Sequence, residues 1–86
     1  MSKNRIECHL VTFLYGDQST VKCELRRVCQ LAPDIEDWLL ERGFRKEGPN
    51  AWFVWESGLV TEGKAKDLTA ALSQRANKHK WKVFTH

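Results

Sequence analysis

Residues 5–15 and 20–30 flank the run Gly16-Asp17-Gln18-Ser19, and both are rich in β-branched and aromatic side chains. Two such runs around turn chemistry read as a β-hairpin, and no other feature restricts the fold as strongly. With Tyr15 opposite Thr20, one face gathers Ile6, Cys8, Leu10, Thr12 and Leu14 with Val21, Cys23, Leu25, Arg27 and Cys29. Nearly all aliphatic and thiol groups then lie on one side, as a half-buried sheet requires. The other face carries Glu7, His9, Val11, Phe13, Tyr15, Lys22, Glu24, Arg26 and Val28. That face is too apolar for one that meets only water.

Residues 33–42 predict a helix. Pro33 suits its first turn, and Asp34, Glu36 and Asp37 suit the positive end of its dipole. Ile35, Trp38, Leu39 and Arg42 follow i, i+3, i+4, i+7 spacing, and Gly43 is placed to end the helix left-handed with Phe44 packing back. Arg45 to Asn50 reads as a charged loop. Ala51-Trp52-Phe53-Val54-Trp55 reads as a short strand, followed by a turn and a second strand, Leu59-Val60-Thr61. A second helix starts near Lys64 or Asp67 and runs to His79. Trp81-Lys82-Val83-Phe84 closes the chain as an edge strand whose lysines discourage edge pairing. The expectation is one α+β domain over residues 1–86, in the order ββαββαβ. Its two layers are a mostly antiparallel sheet and two helices on one face. One helix on each side is the competing arrangement.

The opening residues lack the apolar core of a signal peptide, and no run is long enough to cross a membrane. Three cysteines, an odd number, read as reduced thiols in a cytoplasmic protein. Cys8 and His9 are adjacent, so on a strand they point apart, and Cys23 and Cys29 have no close ligand partners; no metal site is expected. Cys8 and Cys29 are diagonal neighbours in this register, but core thiols are poorly reactive. No local motif orients a base toward a nucleophile, and no glycine-rich phosphate loop is present; no cofactor and no catalytic residue are expected. His79 and His86 read as solvated.

Leu39-Leu40-Glu41-Arg42-Gly43-Phe44 followed by an aromatic strand is similar to the helix-to-strand step of small double-stranded-RNA-binding-like toxins. The likeness covers about a dozen residues of helix-stop chemistry. The Gly-Ser-His that would carry nuclease chemistry is missing, with Gly48-Pro49-Asn50 in its place.

Two binding signals remain. The four tryptophans and the apolar second face point to a protein-binding module, a small regulator or inhibitor of a larger protein or complex. Size and composition suit the host-takeover and anti-defence proteins of phages. Phe13, Tyr15, Arg26, Trp52 and Trp55 are its expected contact residues. A homodimer packing two such faces is a further outcome. The alternative is nucleic-acid binding. Gly63 to His86 holds six basic residues and one acid, for a net charge of +5, while the rest carries −2. Lys64, Lys66, Lys78, Lys80, Trp81 and Lys82 would form its phosphate-tracking surface.

Overall fold

A computed structural model describes residues 5–28, 31–47 and 53–86. β1 (Glu7–Tyr15) and β2 (Gln18–Arg26) form the hairpin. Helix α1 (Pro33–Glu41) follows, then β3 (Arg45–Glu47), β4 (Phe53–Glu56), β5 (Val60–Thr61), α2 (Glu62–Lys78) and β6 (Lys82–Thr85). The sheet order is β3-β4-β2-β1-β6, with β5 also pairing β2; every pairing is antiparallel except β1 with β6. The α+β class, the mostly antiparallel sheet and the two helices agree with the sequence reading. The added strand is β3, which charge had disguised as a loop.

The hairpin register differs from the expectation by two residues. Tyr15 pairs with Gln18 and Phe13 with Thr20, so the loop is Gly16-Asp17 alone. Gly16 has φ of 65°, the conformation a two-residue hairpin loop wants at its first position. A shift of two preserves side-chain faces, so the predicted core side survives. Cys8, Leu10, Val21, Cys23 and Leu25 are all buried, in one cluster with Ile35 and Leu39 of α1 and Ala65, Leu68, Leu72 and Ala76 of α2. Both helices therefore cover the same sheet face. The other sheet face has no helix over it among the described residues.

β4 and β5 behave as one interrupted strand along β2. At the break, the Ser57 hydroxyl accepts the Val21 N–H at 2.9 Å, and the Ser57 N–H donates to the Val21 carbonyl at 2.9 Å. Both main-chain groups of Val21 are thus satisfied where the ladder would otherwise lapse.

α2 begins earlier than the periodicity suggests. Thr61 caps it, its hydroxyl accepting the Lys64 N–H at 3.2 Å. Both helices end in the same hydrogen-bond pattern. In α1 the N–H groups of Phe44 and Gly43 donate to Leu39 and Leu40; in α2 those of Trp81 and Lys80 donate to Ala76 and Asn77. Gly43 takes the left-handed position at φ 91°, whereas Lys80 is held there at φ 62°. The sequence reading ended this helix at His79, its C-cap, although a lysine rather than a glycine holds the left-handed position of the stop.

Candidate functional site

The uncovered sheet face has two unlike ends. At the hairpin root, His9 is only 8% exposed although it faces away from both helices. The Phe84 ring of β6 stacks on it, with centroids 4.6 Å apart and planes within 10°. His9 Nε2 lies 3.0 Å from Glu7 Oε1, and its Nδ1 lies 3.0 Å from Nε2 of His86. The ring centroids are 5.3 Å apart with planes within 6°, the separation expected when a 3.0 Å N···N contact lies along the ring planes, so the two imidazoles meet edge to edge. Glu7 accepts, which assigns a proton to His9 Nε2; for a neutral His9, Nδ1 then accepts from His86. The Arg27 Nε donates to the other Glu7 oxygen at 3.1 Å. The His9 hydrogen bond holds the Glu7 carboxyl below the usual range, with Arg27 adding in the same direction against desolvation. His86 is thus engaged rather than simply solvated. Glu7 and His9 on one face were legible as i, i+2 on a strand, but nothing local links them to His86.

At the hairpin tip the pattern reverses. Phe13, Leu14 and Tyr15 are consecutive and 40%, 72% and 58% exposed. Phe13 and Tyr15 point to the uncovered face, with the Lys22 ammonium 5.7 Å from the Phe13 ring centroid. Leu14 points to the helix side, where the reading placed it in the core. The first turns of α2 stand off from it, leaving an open groove of about 410 Å³ lined by Thr12, Leu14, Ser19, Ala65, Lys66 and Thr69.

Not all expected contact residues join this end. Arg26 is exposed on the same face but at the root, roughly 20 Å from Phe13 by strand rise. It is tied to Glu24 at 3.1 Å. Trp55 pairs with Cys23, faces the helices and is 2% exposed, so it belongs to the core rather than to a surface. Trp52 lies outside the described residues, while Val54 takes the uncovered face.

The basic residues are also divided. Lys64 and Lys66 sit at the start of α2 and Lys78 at its end, about 21 Å apart from Lys64 to Lys78 by helix rise. Lys80 and Lys82 are exposed beyond that end. Trp81 is half-buried against the core, with the His79 ring stacked at 5.1 Å.

Cys8 and Cys23 are core groups. Cys8 and Cys23 Sγ atoms are 3.8 Å apart and both residues are 1% exposed. The thiol hydrogen bond from Cys8, reinforced by burial, pushes the Cys23 thiol well above its usual range. Cys23 is thus a neighbour of Cys8; the expected Cys8–Cys29 proximity falls on Cys29, which lies outside the described residues. Among the described residues no group of three or more His, Cys, Asp or Glu side chains is placed to hold a metal ion, and no helix is long and apolar enough to cross a membrane. Comparison with protein-family models, curated proteins and solved structures gives no match.

Proposed function

We propose that this chain is a non-enzymatic protein-binding module, a small regulator or inhibitor that engages a larger protein through the hairpin tip. One observation carries the reading: three consecutive large apolar side chains, Phe13, Leu14 and Tyr15, stand exposed on a regular strand. Leaving such a patch in water forgoes burial worth about 25 cal/mol per Å². Contiguous apolar patches rimmed by polar groups mark interaction sites, and aromatic side chains supply most binding hot spots. Compared with the sequence reading, the contact set loses Trp55 and Arg26 and gains Leu14, while Trp52 lies outside the described residues. The reduced, buried thiols Cys8 and Cys23 support a cytoplasmic place of action.

The test is capture from a bacterial lysate, with and without nuclease, washed at low and high salt. The reading predicts a discrete protein that survives both treatments and is lost with Phe13→Ala plus Tyr15→Ala, while circular dichroism stays native. Recovery of nucleic acid that washes off with salt would move the site to Lys78, Lys80 and Lys82, because phosphate contacts release counterions.

A further inference from the structure

The outer edge of β1 is paired over only half its length. β6 matches Glu7 through Leu10, and no strand among the described residues lies against Val11–Tyr15 on that side. The Lys82 N–H donates to the Ile6 carbonyl and the His86 N–H to the Leu10 carbonyl, each at 2.9 Å. Even-numbered residues of β1 therefore aim their main-chain groups outward, and by alternation so do Thr12 and Leu14. Their N–H and C=O groups form an open template for another strand.

The remaining described edges of the sheet are short or charged, β5 being only two residues long. β3 is three charged residues, Arg45-Lys46-Glu47, and β6 is short with Lys82 on it. Val11-Thr12-Phe13-Leu14-Tyr15 has no charge, no proline and no bulge. A neutral, β-prone edge of this kind is an aggregation hazard unless something covers it.

We infer that a second copy of this chain covers it, with the two β1 strands antiparallel about a two-fold axis at Leu14. Several features favour a self-match. The exposed triplet Phe13-Leu14-Tyr15 is centred on Leu14, so the axis sets each Phe13 opposite the other copy's Tyr15 as an aromatic cross-strand pair. Leu14 meets Leu14 with its main-chain groups already pointing across. Turning the strand about Phe13 instead would drive Tyr15 toward the end of β6, where His86 binds Leu10. No like charges oppose each other within the paired segment. A two-fold pairing also closes on itself, whereas a head-to-tail one would leave a free edge and grow. The joined sheet sets Phe13 and Tyr15 of both copies side by side on the uncovered face. The inference stands without the larger partner, because it concerns the purified chain alone.

Sedimentation velocity of the purified full chain, over a concentration series, tests it together with cross-linking. The wild type is expected to shift from monomer toward dimer with concentration. Leu14→Lys and Thr12→Pro should remain monomeric with native circular dichroism; Leu14 and Thr12 are both exposed, and proline is tolerated at an unpaired edge. In a Cys29→Ser background, Leu14→Cys should oxidise to a covalent dimer, since Cα atoms of a hydrogen-bonded antiparallel pair lie about 5.5 Å apart. Thr12→Cys should not, because its symmetry mate is about 13 Å away along the strands. A monomer at every concentration overturns the inference. So does a dimer indifferent to Leu14→Lys, or one in which Thr12→Cys cross-links as readily as Leu14→Cys. Lysate capture by a Thr12→Pro protein that stays monomeric would show the partner reading holding independently, because Thr12 is not among the partner's contact residues.

Discussion

The root and the tip of one hairpin share an alternating pattern yet have different fates. At the root, Cys8 and Leu10 lie beneath the helices, His9 is boxed by Phe84 and His86, and β4 and β6 pair both outer edges. At the tip, Leu14 continues the same face but overhangs α2, and Phe13 and Tyr15 continue the other with no cover. Alternation decides which way a side chain points. Whether anything meets it depends on where α2 and β6 stop, and that is a tertiary fact.

The largest test of this contrast compares Leu10→Ala with Leu14→Ala, four residues apart on one face of one strand. Leu10→Ala should cost about 2–5 kcal/mol in urea unfolding, because the site is closed and cannot refill. Leu14→Ala should fall within about 0.5 kcal/mol of wild type, as surface changes do. Equal losses would show the tip to be covered from within. A smaller effect follows on the other face. His9→Ala removes a ring stack and leaves Glu7 and His86 without their shared partner, for a loss of about 1–3 kcal/mol. Tyr15→Ala should leave the unfolding midpoint nearly unchanged.

The root should also show a pH signature that the tip lacks. The folded Glu7 carboxyl sits below its unfolded value, so its contribution is complete above the ordinary carboxylate range near 4.5. That contribution is lost as pH falls through the lower, folded value. Glu7→Gln should therefore flatten the acid limb of stability against pH, read from thermal melts between neutral and acidic buffers. Glu56 opposes this weakly. Its shared hydrogen bond with Glu47 raises its carboxyl, so its contribution is present at low pH and fades as pH rises through the raised value. An unchanged acid limb in Glu7→Gln would show that the His9 contact does not hold in solution.

An effect of opposite sign lies at the turn that delivers β6 to the root. Lys80→Gly relieves a left-handed lysine and should stabilise by about 1 kcal/mol, leaving association at the tip unchanged.

Much of this division was legible in the residues, and its limits have physical causes. The two hairpin strands, their faces and α1 with its Gly43 stop follow from local pattern. The register slipped by two because Gly16-Asp17 and Gly16-Asp17-Gln18-Ser19 are both acceptable turns, and an even slip leaves every face intact. β3 escaped because its three charged residues give no apolar period, although pairing with β4 orders them. Trp55 could have faced either way; only its pairing with Cys23 turns it inward. At the site, Phe13 and Tyr15 were visible as apolar residues on the wrong face. Leu14 was not, since its pattern is that of a core residue and its exposure arises from the reach of the hairpin beyond α2. The basic residues looked like one cluster in the chain, but the length of α2 divides them.

The most direct measurement is amide hydrogen exchange at Thr12 and Leu14 as a function of protein concentration, with Cys8 and Leu10 as internal references. Thr12 and Leu14 should exchange quickly in dilute protein and become protected as concentration rises, while Cys8 and Leu10 stay slow throughout. Concentration-independent exchange at the tip, whether fast or slow, would contradict the claim that its edge is a surface for a second copy.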